Sequence, residues 1–278
     1  MIADFWRYRV LKTGRKAVWL PYARLRMALP WRREPRSGRT AYGVHMVQRW
    51  HDRTFVYCHA GIYGRFLADA LTHRREPFVF VDIGANQGLY SAIAARNPAC
   101  SEAVAFEPVE TTYAILKENM ALNGVADRVR ALKLGISDQA GSASIHVPAG
   151  HSGMASLAVE AKPTGSFETE VIQTVAAAGL GQLLAGEVPL IVKIDVEGHE
   201  ATVIRELLAS SASARVEAVF YEIDTRWSVA EVIAEMLREA GFTHFRKVGF
   251  GHHFDMLAQR PAAAGRRNIN SPLSDSAR

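Results

Sequence analysis

Short apolar runs and longer stretches of helical periodicity alternate along residues 78 to 260. The short runs are rich in β-branched and aromatic residues, a composition typical of buried strands. Strands are predicted at Phe78 to Ile83, Ala103 to Phe106, Val129 to Leu134, Leu190 to Ile194, Val216 to Ile223, Thr243 to Val248 and Phe254 to Gln259. Helices are predicted at Leu89 to Arg96, Thr111 to Asn123, Glu200 to Ala209 and Val229 to Ala240. This alternation predicts an α/β fold, in which a seven-stranded, mostly parallel sheet carries helices on both faces.

Several segments flank or interrupt this alternation. Residues 1–40 are expected to form an N-terminal arm and linker, and residues 41–77 a helical extension packed on the main domain of residues 78–260. The segment 142–174 holds two short strand-like pieces around a glycine-rich loop, and we interpret this insertion as a candidate lid or acceptor wall. Residues 261–278, rich in Ala, Ser and Arg, are expected to be a disordered tail.

The basic charge of the chain is concentrated at its N-terminus. The first forty residues hold eleven Lys and Arg against two acidic residues, a net charge of +9, so the remainder carries −4 of the total of +5. Asp4 to Leu20 can form a moderately amphipathic helix that we expect Pro21 to end, and Pro30 to Arg39 is predicted as a linker. Basic residues interleaved with aromatic ones suit an anionic membrane surface, so residues 4–39 are candidates for peripheral membrane contact. The same residues could instead bind RNA phosphates.

Neither the cysteines nor the paired histidines form a metal-binding motif. Cys58 and Cys100 are far apart and match no zinc ligand set, so we expect two reduced thiols. In an extended chain the neighbours His252 and His253 point to opposite faces, and we interpret them as structural. No apolar run reaches the roughly 18 to 20 residues of a membrane span, and no signal-peptide pattern is present. We therefore expect a cytoplasmic protein whose membrane contact, if any, is peripheral and on the inner face.

A glycine-rich turn follows the first strand of the main domain. After Phe78-Val79-Phe80-Val81 the chain reads Asp82-Ile83-Gly84-Ala85-Asn86-Gln87-Gly88 and enters a predicted helix. Glycines let the backbone turn sharply and approach a ligand beside a helix N-terminus. The spacing departs from the G-x-G-x-x-G of dinucleotide enzymes, and the acidic residue suits a ligand with a cationic amino acid end. We therefore predict four cofactor-binding residues in this turn, namely Asp82, Gly84, Asn86 and Gly88.

Polar residues after the next three strands complete the predicted cofactor site. Glu107 lies about twenty residues beyond the glycine turn, at the carboxyl edge of the second strand, where its carboxylate can accept both ribose hydroxyls. Ser137 and Asp138 follow the third strand, and a short polar side chain there could reach an adenine amino group. Asp195 follows the fourth strand, and we expect it to face the transferred group, since ligands bind outside the carboxyl ends of strands near the switch point.

Three residues are candidates for acid–base catalysis. Asp195 and His199 are candidate general bases, and the dipole of the helix that begins at His199 disfavours protonation of its ring. Glu222, on the fifth strand, is the third catalytic candidate. Asp195 and Glu197 could alternatively be a carboxylate pair at a helix start, an interpretation that we favour for Glu197. The set of Asp195, Glu222 and Asp224 could hold a divalent cation, but carboxylates beside a cationic ligand explain it equally well, and we do not favour a metal.

Four motifs, taken in order, are similar to those of the FkbM family of methyltransferases. They are Val81-Asp82-Ile83-Gly84-Ala85-Asn86-Gln87-Gly88-Leu89-Tyr90-Ser91, Phe106-Glu107-Pro108, Ser137-Asp138 and Lys193-Ile194-Asp195-Val196-Glu197-Gly198-His199-Glu200. The resemblance covers about Phe78 to Val248 and implies a Rossmann-like class I methyltransferase fold, S-adenosylmethionine as the cofactor and O-methylation of a sugar or polyketide hydroxyl. The chain departs from the family at Thr174-Val175-Ala176-Ala177-Ala178, where members often carry a Thr-Leu-Asp-type segment.

Three hypotheses about function follow. The leading one is S-adenosylmethionine-dependent methylation of a hydroxyl on a sugar, glycan or other natural product, an acceptor that could be lipid-linked. The second is an RNA methyltransferase that uses the basic arm. The acidic body and the lack of an Asn/Asp-Pro-Pro-Tyr motif after the fourth strand count against it. The third is a non-catalytic cofactor-binding module at a membrane, which Asp82, Glu107 and Asp195 make less attractive. The oligomeric state stays open.

Overall fold

The computed structural model describes residues 11–28, 36–148, 152–157, 167–225, 230–249 and 251–261. Two short 3-10 turns, at Ser152–Met154 and Ser213–Arg215, accompany the helices and strands. In chain order the latter are α1 (Leu11–Ala28), β1 (Ser37–Arg39), β2 (His45–Val47), α2 (Arg53–Ala60), α3 (Arg65–His73), β3 (Phe78–Ile83), α4 (Leu89–Ala95), β4 (Cys100–Phe106), α5 (Glu110–Leu122), β5 (Val129–Leu132), β6 (Gly135–Ile136), β7 (Gly141–Pro148), β8 (Phe167–Val175), α6 (Ala177–Leu183), β9 (Leu190–Ile194), α7 (Glu200–Ala209), β10 (Val216–Asp224), α8 (Ala230–Glu239), β11 (His244–Val248) and β12 (His253–Gln259).

A seven-stranded sheet forms the centre of the molecule, with the order β11-β12-β10-β9-β3-β4-β5. β12 runs antiparallel to both of its neighbours, and the other neighbouring strands are parallel. This arrangement confirms the predicted α/β fold. From β3 the chain builds outward to β5 and then returns to place β9 on the other side of β3. The strand order therefore reverses between β3 and β9, where an open α/β sheet forms its ligand crevice.

Alternate residues of the strands pack on opposite faces of the sheet. In β3, Phe78 and Phe80 belong to the cluster that includes α4 and the N-terminal helices, whereas Val81 and Ile83 belong to the cluster on the other face. All four are essentially inaccessible to solvent. Burial on both faces explains why the strand is a continuous apolar run, as is usual for parallel sheets. It also holds the end of β3, and the turn that follows it, in a rigid frame.

The N-terminal arm differs from its prediction. The helix α1 continues through Pro21 to Ala28 and does not end at the proline. Its second half packs on α2, where Ala23 is buried and the Trp19 ring lies 5.1 Å from the ring of His59. These contacts offset the lost backbone hydrogen bond of a proline in a helix. The predicted helical residues 4–10 lie outside the described residues, and none of the described helices is long and apolar enough to cross a bilayer.

The end of the predicted linker is a β-hairpin. β1 pairs with β2, and the turn between them is closed by Thr40, whose backbone N–H donates to the Val44 carbonyl at 2.8 Å. Residues 30–35 of the predicted linker lie outside the described residues. α2 begins after Asp52, whose carboxylate caps the helix by accepting from the Thr54 backbone N–H at 3.0 Å. Met46 and Phe55 from this region join the same core cluster as Phe78 and Phe80.

The insertion forms a second, smaller sheet. Its three strands have the order β6-β8-β7, with β7 and β8 antiparallel and β6 parallel to β8. Both strand-like pieces predicted in the insertion are therefore strands, and both are longer than expected. The 3-10 turn at Ser152–Met154 lies between them. Residues 149–151 and 158–166 of the insertion lie outside the described residues.

Candidate functional site

A pocket opens at the carboxyl ends of β3, β4 and β9, at the point where the strand order reverses. Its volume is about 660 Å³, including the part open to solvent. The pairing of Ile83 with both Phe106 and Ile194 aligns the three strand ends. The lining residues are Tyr63, Ile83, Gly84, Asn86, Phe106, Glu107, Pro108, Leu134, Gly135, Ile136, Ile145, Ser152, Gly153, Ala155, Leu157, Asp195, Val196, Glu197 and His199.

Gly84 allows the glycine turn to touch the end of β9. Its φ is 72°, and a Cβ atom there would lie 2.0 Å from the carbonyl oxygen of Asp195. No other amino acid fits without movement of the backbone. Gly88, also predicted as a cofactor residue, is absent from the pocket lining. Its φ of 78° starts α4, and an added Cβ would meet Met120 at 2.6 Å, so this glycine is required by the turn and the packing against α5.

Glu107 is buried and held by two backbone donors. Its Oε2 accepts from the Asn86 N–H at 2.8 Å and its Oε1 from the Val109 N–H at 3.0 Å. Each oxygen keeps a further lone pair for a ligand hydroxyl. Burial raises the pKa of Glu107 to about 7, against the lowering effect of the two hydrogen bonds. The carboxylate is thus fixed in the pocket wall with both oxygens able to accept.

Asn86 connects the glycine turn to both sides of the pocket. Its φ of 50° lies in the left-handed region, which asparagine tolerates better than most residues. Its side-chain oxygen accepts from the Gln87 N–H at 2.9 Å and from the Ser152 hydroxyl at 3.2 Å. Because its own N–H donates to Glu107, Asn86 links Glu107 to Ser152 of the insertion.

Asp82 lies beneath the pocket and does not line it. The side chain is fully buried, and it accepts from the Ser91 hydroxyl at 2.6 Å. Lys193 lies 3.4 Å away on its other side. Asp82 was predicted to contact the cationic end of a ligand directly, but its carboxylate does not reach the pocket. It anchors the turn from below.

Lys193, which received no role from the sequence, is a buried cation shared by three groups. Its Nζ lies 3.3 Å from Asp195 Oδ2 and 3.4 Å from Asp82 Oδ1, and it donates to the Gly84 carbonyl at 2.7 Å. Burial alone would lower the pKa of Lys193, but the two carboxylates raise it above the ordinary value. The ammonium group thus joins the glycine turn to the end of β9.

Three carboxylates meet at the β9 end of the pocket, on the other side of β3 from Glu107; Asp195 and Glu197 line the pocket, whereas Glu222 does not. Asp195, Glu197 and Glu222 each offer an oxygen within 4.8 Å of the others. Burial, followed by the neighbouring carboxylates, raises the pKa of Glu197 well above its ordinary value. The pKa of Glu222 is raised by burial and by Asp195. We call these three residues the carboxylate cluster, and its like charges make it a favourable place for a cation.

Glu197 is a correction to the sequence interpretation. We expected a carboxylate at the start of a helix, and that role belongs to Glu200, which accepts from the backbone N–H groups of Val196 and Gly198. Glu197 instead has a φ of 51° and lines the pocket. Its left-handed backbone conformation is unusual for a residue of this size and lets the chain turn before α7.

His253 serves as a counter-ion of the cluster. Its Nε2 lies 2.7 Å from Glu222 Oε1, and its Nδ1 lies 3.6 Å from Asp224 Oδ2. The bond to Glu222 raises the pKa of His253 to about 9, so the ring is protonated at neutral pH. The sequence offered Asp195, Glu222 and Asp224 as a possible site for a divalent cation. In the structure, the carboxylates that lie close together are Asp195, Glu222 and, in place of Asp224, Glu197. Two of the three carboxylates already face a positive side chain.

Ser137 and Asp138 do not line the pocket, contrary to the prediction. The wall after β5 consists of Leu134, Gly135 and Ile136, because β6 pairs with β8 and carries the following residues away. The Ser137 hydroxyl lies 3.2 Å from His199 Nε2. His199 does line the pocket, and burial lowers its pKa, so its ring is neutral at physiological pH.

The insertion covers one side of the pocket and is fixed by hydrogen bonds. The Ser156 hydroxyl donates to the Glu197 carbonyl at 2.6 Å, and the Gly153 N–H donates to the Thr54 hydroxyl at 2.9 Å. Ser152 contacts Asn86, as described above. The insertion is therefore attached to the glycine turn, to the segment after β9 and to α2. The role of the insertion as a lid or acceptor wall stays a prediction.

Comparison with known proteins gives a consistent assignment. The sequence profile of the Methyltransferase FkbM domain matches residues 82–243, more than half of the chain. Methyltransferase sdnD of Sordaria araneosa is 42% identical over 67 residues, which are 24% of this chain and 26% of that protein. The match therefore spans about a quarter of that relative.

Two of the solved structures with detectable similarity are methyltransferases of low sequence identity. The ribosomal protein L11 methylase of Lactobacillus delbrueckii subsp. bulgaricus has 14% identity and a TM-score of 0.42, with 71% of this chain and 78% of that chain covered. A precorrin-6y methyltransferase of Geobacter metallireducens has 13% identity and a TM-score of 0.43, with 72% and 89% covered.

Proposed function

Because this chain belongs to the FkbM methyltransferase family and has a Rossmann-like methyltransferase fold, we propose that it transfers a methyl group from S-adenosylmethionine to a hydroxyl oxygen. The acceptor class that we propose is a sugar, glycan or other natural product. The observation that carries the proposal is the pocket itself, with a fixed pair of acceptor oxygens at one end and a carboxylate cluster at the other. No described residue of the pocket lining is a lysine or arginine that would favour phosphate groups.

The residues present fit S-adenosylmethionine. The two oxygens of Glu107 match a pair of ribose hydroxyls, and the apolar wall of Phe106, Leu134 and Ile136 suits an adenine ring. Gly84 leaves a space that a Cβ atom would fill. The carboxylate cluster supplies the negative charge that a sulfonium ion requires. When bound, the cofactor supplies an electrophilic methyl group on a cationic sulfur.

We propose that Asp195 would accept the proton of the acceptor hydroxyl. S-adenosylmethionine, when bound, would supply the methyl group, whose bond to sulfur would break as the hydroxyl oxygen bonds to its carbon, leaving the neutral demethylated product. Lys193 Nζ lies 3.3 Å from Asp195 Oδ2, and Asp195 lines the pocket, where an acceptor hydroxyl would be within its reach. Transfer to a hydroxyl consists mainly of alignment and proton removal, for which one placed carboxylate is sufficient. Glu222 is tied to His253, and its role is to keep the cluster negative. His199, neutral and adjacent to Ser137, is the other candidate base.

Labelled cofactor tests the proposal. The full-length protein is incubated with methyl-labelled S-adenosylmethionine and a cell extract separated into glycan, lipid, protein and RNA fractions. We expect label in the glycan, lipid-linked glycan or small-molecule fraction, in a bond that resists the mild base that cleaves methyl esters. Label confined to RNA would support the alternative acceptor class, and no label in any fraction with intact cofactor binding would support the non-catalytic alternative. A parallel reaction with chelator tests whether the carboxylate cluster needs a divalent ion.

A further inference from the structure

The outward face of α1 is apolar. Val18 and Leu25 are 65% and 55% exposed, and Pro21, also exposed, lies between them. The spacing of three and four residues places all three side chains on one side of the helix. A helix on the surface of a globular protein normally directs polar residues outward and its apolar stripe inward. Here an apolar stripe, defined as Val18, Pro21 and Leu25, faces away from the protein.

Basic side chains lie toward the protein side of the same helix. Arg15 donates to the Gly61 carbonyl at 2.8 Å, and Lys16 lies 5.0 Å from the centre of the Tyr57 ring. Arg26 lies 5.0 Å from the centre of the Trp50 ring. The apolar stems of long basic side chains can pack on the protein surface while their charged ends stay at the edge of an apolar stripe. The stripe is thus flanked by positive charge on its protein side.

The helix contains no acidic residue. Its eighteen residues include Lys12, Arg15, Lys16, Arg24 and Arg26. The sequence before it continues the same composition, with Phe5-Trp6-Arg7-Tyr8-Arg9 in the part that lies outside the described residues. An apolar stripe beside concentrated positive charge is the chemistry that an anionic bilayer surface accommodates.

We propose that the outward face of α1 binds an anionic lipid surface, with the apolar stripe entering the headgroup region and the net positive charge of the helix attracting the lipid phosphates. A second copy of the chain fits this face less well, because two helices of this charge would repel each other across the contact. RNA fits it less well because exposed Val and Leu side chains have no partner on a phosphate backbone. The proposal concerns a surface away from the pocket and is independent of the acceptor.

Vesicle binding by the full-length protein tests the proposal. Vesicles of phosphatidylglycerol and phosphatidylcholine in equal parts are expected to sediment the protein, whereas pure phosphatidylcholine vesicles leave it in the supernatant. The double substitution Val18→Gln and Leu25→Gln removes the apolar stripe without changing the charge. We expect vesicle affinity to fall at least tenfold. A tenfold fall corresponds to less free energy than the full burial of two aliphatic side chains contributes. Cofactor affinity and the unfolding midpoint should not change.

Thr13→Gln is the matched control, because Thr13 is exposed on the same helix but lies outside the stripe. We expect this variant to bind vesicles as the parent does. Equal binding of the double variant and the parent would overturn the proposal, as would equal sedimentation with neutral vesicles. If the parent is a dimer in solution and the double variant a monomer, the stripe is a contact between copies. A gel shift of RNA without vesicle binding would also overturn the lipid assignment.

Discussion

The two ends of the pocket hold buried carboxylates by different means. At one end, Glu107 accepts from two backbone N–H groups, one from the glycine turn and one from the segment after β4. At the other end, Asp195 and Glu222 face the side-chain cations Lys193 and His253. Glu197 belongs to the same end. Among the described residues, its carboxyl group has neither a backbone N–H donor nor a side-chain cation as a partner. Both ends are desolvated, and burial raises the pKa of a carboxyl at each.

Because of this difference, Glu107 is a recognition element with a fixed position, whereas the charge of the carboxylate cluster can vary. Backbone donors are set by the fold and do not titrate, so the position of Glu107 is independent of neighbouring charges. When all three of its carboxyl groups are ionised, the carboxylate cluster carries more negative charge than its two cations balance, so a further cation favours its full ionisation. One end is therefore suited to neutral hydroxyls and the other to a positive group. Each of the following predictions tests one part of that contrast.

The largest effect is expected from Gly84→Ala, because Gly84 lies between the two ends. The new Cβ would be 2.0 Å from the Asp195 carbonyl oxygen, and the residue must keep a left-handed φ. We expect a loss of more than about 3 kcal/mol in the free energy of unfolding, measured in urea, together with loss of cofactor binding.

Gly124→Ala provides the comparison for Gly84. Gly124 has a similar positive φ of 64° but nothing within 4 Å of the added Cβ. The backbone conformation alone should then cost about 1 kcal/mol. Equal losses in the two alanine variants would show that contact between the glycine turn and β9 is not what requires Gly84.

Asp195→Asn should separate catalysis from binding at the cluster end. The amide keeps the shape of the side chain but can neither accept the hydroxyl proton effectively nor pair with Lys193 as an anion. We expect turnover to fall by about a hundredfold or more, while cofactor affinity changes by only a few fold. Asp127→Asn, at an exposed position outside the pocket, serves as the control in the same assay. Unchanged turnover of Asp195→Asn would transfer the role of base to His199.

Glu107→Ala should affect the other end and only binding. Calorimetry is expected to show that affinity for S-adenosylmethionine and for its demethylated product falls by about tenfold or more, since hydrogen bonds to a charged group contribute roughly 1.5 to 3 kcal/mol. The loss should be similar for both ligands, because the ribose is common to them. Glu110→Ala changes an exposed carboxylate just beyond this segment and should leave both affinities as they are. A loss for one ligand alone would place Glu107 elsewhere in the site.

The strands could be predicted because burial on both faces leaves a clear apolar signal. β3 and β9 have the predicted bounds, and the other strands of the central sheet differ only at their ends. Elements near the N-terminus were harder to predict. Pro21 is a helix breaker by local preference, and the packing of Trp19 and Ala23 on α2, which lies more than thirty residues away, overrides that preference. Such contacts between distant residues leave no periodic signal in the sequence.

The glycine turn and Glu107 could be predicted, because motif and topology together place them. The acidic residues after β9 were ambiguous, since either could cap the following helix. One helix start offers a limited number of N–H groups, and Glu200 takes those of Val196 and Gly198. Applied to the sequence, that limit would have indicated that only one of the two carboxylates caps the helix and that Glu197 can line the pocket. The pairing of His253 with Glu222 depends on the register of β12 against β10, which local sequence does not determine.

The smallest effect that we predict is a pH dependence confined to the cluster end. Burial and the neighbouring carboxylates raise the pKa values of Glu197 and Glu222 above the ordinary value. A bound sulfonium cation favours the ionised carboxylates and lowers their pKa values. Binding then releases protons over the pH range between the free and bound pKa values. Affinity for S-adenosylmethionine must therefore rise as pH rises through that range.

The demethylated product separates this effect from every other titration, because its sulfur is neutral. The ionisation of Glu107, with a pKa of about 7, acts on the ribose common to both ligands and cancels in the ratio of their affinities. We expect the preference for the cationic ligand to grow a few fold as pH rises above the ordinary range of a carboxyl group and stays below the pKa of His253 at about 9. Calorimetry in buffers of different ionisation enthalpy would count the released protons directly. In Glu197→Gln the preference should lose most of its pH dependence, because the carboxyl with the strongly raised pKa is gone. A preference that stays constant with pH in the parent protein would mean that the sulfonium does not lie beside the carboxylate cluster.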